Sequence, residues 1–453
     1  MIIRRVLVAN RGEIAARILR SCASLGIETV LAASEADLDS LPARLAGGVI
    51  RLGPAPPAAS YLDVDAVVAA AVEVGADAIH PGYGFLSENA RLARACDEAG
   101  IVFVGATAEQ LDAVGDKLAA RGHAVAAGLP VVPGGEVSDL DGARALAAEI
   151  GWPVLVKAVG GGGGRGMKLV GEPGELDGII ERAMAEARAA FGDPRVYLER
   201  FVTSGRHVEV QLLGDGERVI HLGDRDCSIQ RRYQKLVEEA PAPGLPDELR
   251  SEMHRAAVAF GERLRYRGLG TVEFMVGDGA FHFLEMNARI QVEHPVTEAI
   301  CGLDLVAEQL AVAEGRPLRL TQADVSLAGH AIECRINAED PRRNFLPRPG
   351  TVTSAVFPDG EGVRVDTHVE AGVTVPPHYD SLLAKLIVHG SDRTEAMARL
   401  RGALARCEIG GVATTLPMHA ALAEHPDFAA GGVDTAWLPH FLQQHEFPKR
   451  GRS

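Results

Sequence analysis

The chain has 453 residues, 47% hydrophobic and 24% charged, with a formal net charge of −15. That length allows two to four domains with sizeable cores, and the acidity argues against non-specific nucleic-acid binding and against an anionic membrane surface. No run of about 18 apolar residues marks a membrane span, the Met1–Asn10 stretch is too short and wrongly flanked for a signal peptide, and six scattered cysteines with no C-x-x-C pair fit reduced thiols in a cytoplasmic protein.

In chain order, residues 4–10 read as a buried strand and Gly12–Arg20 as the helix after it. Strands at 28–33, 77–80 and 101–105 alternate with helical stretches at 64–74 and 89–99. That βαβ pattern predicts a mainly parallel, Rossmann-like sheet over residues 1–114. Asn10-Arg-Gly12 falls at a strand-to-helix junction, where ligands gather in such sheets. The G-x-G-x-x-G fingerprint is absent there, which excludes a dinucleotide. His80-Pro-Gly-Tyr-Gly-Phe-Leu-Ser87 reads either as a second ligand loop or as a tight turn with Ser87 as a helix N-cap.

Residues 115–130 are expected as a linker. A small unit follows over 131–203: strands at 154–157 and 167–170 flank the Gly160–Gly166 loop, a helix spans 175–190 and a strand spans 195–199. Five glycines in a row suit a flexible linker. Set between strands, they also suit a mobile lid whose backbone N–H groups fold over phosphates, with Lys157 reaching the same groups. The run is no Walker loop, since neither G-K-[ST] nor a helix follows it.

Residues 204–328 read as a third unit, with paired strands at 207–213 and 219–222 and helices at 247–265 and 303–314. From His330 the chain turns strand-rich, giving a fourth unit over 329–445. Lys and Arg total 46, yet only six are Lys, and three of these fall in the motifs. A Lys kept against that bias suggests a need for a compact point charge. Arg231, Arg232 and Lys235 lie within five residues and predict a cationic pocket, with Glu238 and Glu239 as candidate partners.

The densest stretch is Glu285-Met-Asn-Ala-Arg-Ile-Gln-Val-Glu-His294. Read as extended, it puts Glu285, Asn287, Arg289, Gln291 and Glu293 on one face and the apolar residues on the other. Upstream, Thr271–Val276 and Ala280–Glu285 read as a hairpin around Gly277-Asp-Gly279. A three-residue loop brings Glu273, Glu285 and Asn287 to one face; a two-residue Asp-Gly turn sends Glu273 to the other. Two carboxylates and an amide on one face make a hard-oxygen site suited to Mg²⁺. A phosphate lid, a metal site and a cationic pocket together point to nucleotide-dependent activation of an acid, with positioning and electrostatics supplying most of the catalysis.

Asn10-Arg-Gly-Glu-Ile-Ala, His80–Asn89, the glycine loop, Asp226-Cys-Ser-Ile-Gln-Arg-Arg232, Glu285–Glu298 and Glu333-Cys-Arg-Ile-Asn-Ala-Glu-Asp340 resemble the biotin carboxylase family across residues 1–440. The resemblance implies an N-terminal Rossmann-like domain, an ATP-grasp fold with a mobile lid and a C-terminal mixed α+β domain. It implies ATP-dependent carboxylation of carrier-linked biotin by bicarbonate through carboxyphosphate, with Mg²⁺ or Mn²⁺. Glu273, Glu285 and Asn287 would hold metal. Lys117, Lys157, Gly163, Gly164, the Glu199-Arg200-Phe201-Val202 segment, His207, Gln230 and Tyr233 would line the nucleotide. Lys235, Arg289, Gln291 and Val292 would hold bicarbonate, with Glu293 as its base and Arg335 at the biotin ureido oxygen. Tyr233 stands where the family often has His or Asn, Arg200 replaces a common Lys, and residues 40–48 lack the family's His and Asp-Glu.

No Met-Lys-Met turn is present. Biotin is therefore expected on a separate carrier protein or domain, with a carboxyltransferase subunit completing an acyl-CoA carboxylase, such as the acetyl-CoA carboxylase of fatty acid biosynthesis. A homodimer is expected by analogy. The alternatives are another ATP-grasp carboxylate ligase and a non-catalytic nucleotide-binding subunit.

Overall fold

The structure is a computed structural model describing residues 2–159, 167–203, 205–445 and 447. The N-terminal sheet contains β1 (Arg5–Val8), β2 (Glu28–Ser34), β3 (Gly48–Gly53), β4 (Ala78–His80) and β5 (Val102–Phe103). All pairings are parallel, in the order β3-β2-β1-β4-β5, as the βαβ pattern predicts. The connecting helices are α1 (Gly12–Ser24), α2 (Leu41–Leu45), α3 (Val64–Glu73) and α4 (Ala90–Glu98). The N-cap of α4 is Asn89, whose Oδ1 accepts from the Leu92 N–H at 3.0 Å. Ser87 lies in the turn before it, so the cap falls two residues later than the sequence suggested.

The stretch 115–130 is not an open linker. Helix α5 (Ala108–Gly115) opens with a Thr107/Gln110 capping box, and α6 (Lys117–Ala126) follows with only Asp116 between them. Asp116 caps α6 by accepting from the Ala119 N–H at 2.8 Å. Leu111, Val114, Ala120 and Ala124 pack these helices into the same core as the N-terminal sheet.

The next unit is a four-stranded sheet of β6 (Gly134–Val137), β7 (Val154–Ala158), β8 (Lys168–Val170) and β9 (Val196–Arg200), ordered β6-β9-β7-β8. Helices α7 (Leu140–Ile150) and α8 (Leu176–Phe191) accompany it, and the unit has a core of its own that includes Val154, Val156, Ile180 and Leu198.

An eight-stranded antiparallel sheet follows. It contains β10 (Arg206–Asp215), β11 (Val219–Arg231), β12 (Gln234–Ala240), β13 (Arg267–Gly277), β14 (Ala280–Asn287) and β15 (His330–Asn337), then the strands Leu382–Gly390 and Val363–Thr367. The order is β14-β13-β10-β11-β12-β15, followed by those two. Because β12 pairs with β15, the sheet runs without a break across residue 329, and side chains from both expected units meet on one face. Helix α9 (Asp247–Arg263) packs with Met253, Ala257 and Phe260 inward, and α10 (His294–Cys301) follows β14.

Candidate active site

The hairpin β13–β14 settles the register in a way neither reading of its loop foresaw. Gly277 pairs with Ala280, so the turn is the two residues Asp278-Gly279. Both have positive φ, 52° and 74°, as a type I′ turn requires. Alone, that turn would send Glu273 to the face opposite Glu285. The pairing then shifts: Phe274 opposes Phe283, but Glu273 opposes Glu285, with Leu284 as the extra residue. This bulge returns Glu273, Glu285 and Asn287 to one face.

Beyond Asn287 the strand ends. Residues 288–291 form a loop, and Val292 and Glu293 turn into α10. The alternation persists without strand pairing: Met286, Ala288 and Ile290 are buried in the core while Asn287, Arg289, Gln291 and Glu293 turn to the polar side. Arg289 gathers that side. Its guanidinium donates to Glu88 Oε2, Gln291 Oε1 and Asn287 Oδ1, each at 2.9 Å. Glu88 also accepts from the Ala288 N–H at 3.0 Å, tying the His80–Asn89 motif to this loop.

At the centre is Lys235. Its Nζ donates to Glu209 Oε2 at 2.6 Å, Glu293 Oε1 at 2.7 Å and Glu273 Oε1 at 3.0 Å. Glu293 is fully buried, and its second oxygen accepts from Arg335 Nη2 at 2.8 Å. Arg335 also donates through Nε to Glu238 Oε1 at 2.6 Å. Burial alone would raise the Glu293 carboxyl; Lys235, Arg335 and Arg225 overcome it and hold Glu293 well below the usual carboxylate range. Glu273 is held low in the same way by Lys235 and His207. His207 Nε2 lies 2.8 Å from Glu273 Oε2, and Gln230 contacts its Nδ1 at 3.3 Å. Burial lowers the His207 imidazole, but the Glu273 charge and hydrogen bond outweigh it and the net shift is upward.

Glu285 is the exception among these acids. Burial, then the neighbouring Glu273 charge, push its carboxyl up; Lys117 and Lys157 pull the other way without winning. Lys157 on β7 pairs with Glu199 on β9, and Lys117 at the start of α6 lies in the same field. A carboxylate crowded by a second carboxylate, with an amide on the same face, fits a hard divalent cation as the missing positive charge. Among the described residues two side-chain clusters also meet a metal's spatial requirement, His207/Glu209/Glu273 and Glu209/Cys227/Glu293. Both depend on Glu209, whose two oxygens are already engaged by Arg225 and Lys235.

The structure thus brings together Lys235, Glu273, Asn287, Arg289, Gln291, Glu293 and Arg335, with His207 and Gln230 beside them and Lys117, Lys157, Glu199 and Glu285 in a second group. Val292 presents its carbonyl to the buried Lys385 Nζ at 2.8 Å. Phe201 and Val202 are half-buried at the crossing from β9 to β10, and Arg200 is exposed. Gly163 and Gly164 lie outside the described residues.

The predicted triple-cation pocket is corrected. Arg232 and Tyr233 form the turn between β11 and β12, with φ of 49° and 65°, and Tyr233 is 53% exposed. Arg231 stacks on Phe345 at 4.4 Å and donates to Asn344. Only Lys235 points into the cluster. Its partners are not Glu238 and Glu239, because Glu238 pairs with Arg335 and Glu239 with His330 and Arg393.

Sequence reasoning missed Glu209 and Arg225, a fully buried pair at 2.5 Å. Arg225 also donates to Gln211 Oε1 and to the Thr297 and Thr271 hydroxyls, which fixes the floor under Lys235. The signal was available: His207, Glu209 and Gln211 alternate with Val208, Val210 and Leu212, a polar row on one face of a buried strand. Glu13 and Lys385 were missed too; they form a buried pair at 3.0 Å linking α1 to the large sheet.

Family models match along most of the chain: the biotin carboxylase N-terminal domain over residues 2–111, the ATP-binding domain of the carbamoyl-phosphate synthase L chain over 116–321, and the biotin carboxylase C-terminal domain over 333–440. The chain is 50% identical to a biotin carboxylase of Pseudomonas aeruginosa, covering 96% of this chain and 98% of that one. It is 49% identical to one component of the pyruvate carboxylase of Methanothermobacter thermautotrophicus, covering 97% and 90%. The fold superposes on a Campylobacter jejuni biotin carboxylase–β,γ-ATP complex with a TM-score of 0.94, at 43% identity over 97% of this chain and 99% of that one. It superposes equally well, TM-score 0.93 at 44% identity over 98% and 100%, on the biotin carboxylase domain dimer of Hydrogenobacter thermophilus 2-oxoglutarate carboxylase with MgADP, ADP and bicarbonate. With its three consecutive domains matched and half of its residues shared over nearly the whole length, the chain belongs to the biotin carboxylase family of ATP-dependent ligases.

Proposed function

We propose that this chain carboxylates carrier-linked biotin with bicarbonate, driven by ATP cleavage, as one component of a biotin-dependent acyl-CoA carboxylase. The observation that carries the reading is Glu293, held between two cations: Oε1 on Lys235 at 2.7 Å and Oε2 on Arg335 at 2.8 Å. One carboxylate therefore joins the cation of the proposed bicarbonate site to the cation proposed to face biotin.

The residues present fit the reaction. Lys117, Lys157 and Glu199 line the nucleotide, with His207 and Gln230 behind them and residues 131–203 as the lid. Glu273, Glu285 and Asn287 hold the divalent cation, which supplies charge neutralisation at the phosphates when bound. Lys235, Arg289, Gln291 and the Val292 backbone hold bicarbonate, and Glu293 takes its proton. The low pKa of Glu293 would make it a weak base on its own. The cations that lower it also make bound bicarbonate a stronger acid, and each cation that turns toward substrate releases its hold on Glu293 and raises its basicity. Arg335 has donors left beyond Glu238 and Glu293, enough to stabilise an oxyanion on the ureido oxygen.

The carboxyl acceptor is chosen elsewhere in the complex: identity is nearly the same to a stand-alone biotin carboxylase and to a pyruvate carboxylase component. We assign a cytoplasmic location and a homodimer on the same basis, with a biotin carrier and a carboxyltransferase as partners; among the described residues no helix is long and apolar enough to cross a membrane. The test is phosphate release from ATP with Mg²⁺ and bicarbonate, with and without biotin. Stimulation by free or carrier-linked biotin supports the assignment. ATP cleavage indifferent to both forms of biotin overturns it.

A further inference from the structure

Behind Arg335 lies a pair of acids for which the reaction above has no use. Glu238 on β12 and Glu333 on β15 are directly opposed in the antiparallel register. Their side chains therefore leave the same face with Cβ atoms about 4.5–5.5 Å apart. Both are fully buried. Arg335, two residues along β15, shares that face, and Lys385 opposes Arg335 from the next strand.

The hydrogen bonds do not close if both acids are ionised. Glu238 Oε1 accepts from Arg335, but Glu238 Oε2 and both oxygens of Glu333 have no hydrogen-bond partner. Lys385, the cation that acts most strongly on Glu333, is committed to Glu13 and the Val292 carbonyl. Two like charges facing each other in a dry sheet interior are strongly unfavourable, and so is an unpaired buried carboxylate oxygen. One proton relieves both costs: a Glu333 O–H donating to Glu238 Oε2 removes one of the two charges and pairs two of the three free oxygens, leaving only an uncharged carbonyl oxygen of Glu333.

We propose that Glu238 and Glu333 share a single proton, carried by Glu333 and donated to Glu238, and that this carboxyl–carboxylate dyad is the positioning element for Arg335. The direction of titration agrees. Burial raises both acids, Glu238 to about 7 against the opposing pull of Arg335, and Glu333 well above its ordinary range, with Glu238 adding to the rise. The dyad presents one negative charge to the Nε side of Arg335 while Glu293 presents another to Nη2. That fixes the guanidinium plane and leaves Nη1 for a ligand. A second full charge on Glu333 would over-neutralise the guanidinium and weaken its hold on an oxyanion. The positioning role rests on the biotin-facing assignment of Arg335; the shared proton does not.

The experiment separates the two. Infrared difference spectra of wild type against Glu333→Gln at neutral pH should show a protonated-carboxyl C=O band present only in wild type. Absence of that band overturns the shared proton, whatever the substrate is. In steady-state assays Glu333→Gln, which keeps a donor in place of the proposed O–H, should hold kcat/KM for biotin within threefold of wild type. Glu238→Gln, which removes the charge, should lose at least tenfold more in kcat/KM for biotin than in biotin-independent ATP cleavage. Equal damage from the two substitutions, or equal loss of both activities in Glu238→Gln, overturns the positioning role. A wild type with the infrared band but no response to biotin would refute the function proposed above and leave the dyad standing.

Discussion

Replacing Lys235 by Met removes one charge and keeps the length of the side chain. Three buried carboxylates then lose the cation they share at 2.6–3.0 Å. At an effective dielectric constant of about 20, each contact at about 2.8 Å is worth about 6 kcal/mol of attraction. The loss does not reach the sum, because a stranded carboxylate takes up a proton instead. From an ordinary pKa of about 4.3, that uptake costs about 4 kcal/mol at pH 7 and about 2 kcal/mol at pH 5.5. The predicted destabilisation is therefore about 4 kcal/mol at neutral pH, within the range for breaking a buried ion pair, and about half that at pH 5.5. In the wild type Glu273 and Glu293 are held low, so their contribution is complete above the ordinary carboxylate pKa and is lost only as pH falls well below it. Wild-type stability is thus flat in this window from these groups. In the variant at least one acid is raised, and stability falls as pH rises from the ordinary pKa toward the raised one. Urea denaturation followed by circular dichroism at the two pH values measures the gap. A deficit below about 1 kcal/mol, or one that does not shrink on acidification, refutes the shared-cation reasoning.

Four other outcomes follow from the same geometry. Arg335→Ala should reduce kcat/KM for biotin by about 100-fold or more while bicarbonate-dependent ATP cleavage stays within tenfold, which parallel assays of the two activities read directly. Glu293→Gln should lower the bicarbonate-dependent rate by a factor of about 10² to 10⁴, the usual contribution of a positioned base; the wild-type rate should show no acid limb near neutrality from this group, because its carboxyl is held so low. Glu285→Gln should raise the Mg²⁺ concentration for half-maximal ATP turnover about tenfold or more without loss of fold, checked by Mg²⁺ titration and circular dichroism. Lys385→Met should cost about 3 kcal/mol in urea denaturation, since it leaves Glu13 buried without its cation.

The parts of the fold legible in the sequence were those set by local periodicity. The N-terminal βαβ run and the strands flanking the glycine loop follow from residues close in sequence. Helix α6 falls where a linker was expected; Gly115 ends α5 and Asp116 caps α6. The site divides in the same way. The row Glu285, Asn287, Arg289, Gln291, Glu293 could be read from alternation, although the strand stops at Asn287 and a loop carries the rest. The position of Glu273 could not be read from the turn, because the bulge at Leu284 reverses what the turn alone dictates; its mark in the sequence is the change of apolar phase from Phe281 and Phe283 to Met286, Ala288 and Ile290. Nor could the partners of Lys235. Nearby Glu238 and Glu239 were the natural guess, but sheet pairing brings in Glu209 and Glu273, and the loop after β14 brings in Glu293, from 26, 38 and 58 residues away. Which charges meet in the interior is decided by strand order, and strand order is the long-range part of the fold.

The most direct measurement is transfer of label from radioactive bicarbonate to biotin by the purified chain, with ATP and Mg²⁺ present or omitted. Acid-labile label should reach biotin, or a biotinylated carrier, only with ATP present, and should be lost in Arg335→Ala and Glu293→Gln. Labelling that survives without ATP, or ATP cleavage with no label reaching either form of biotin, would contradict it.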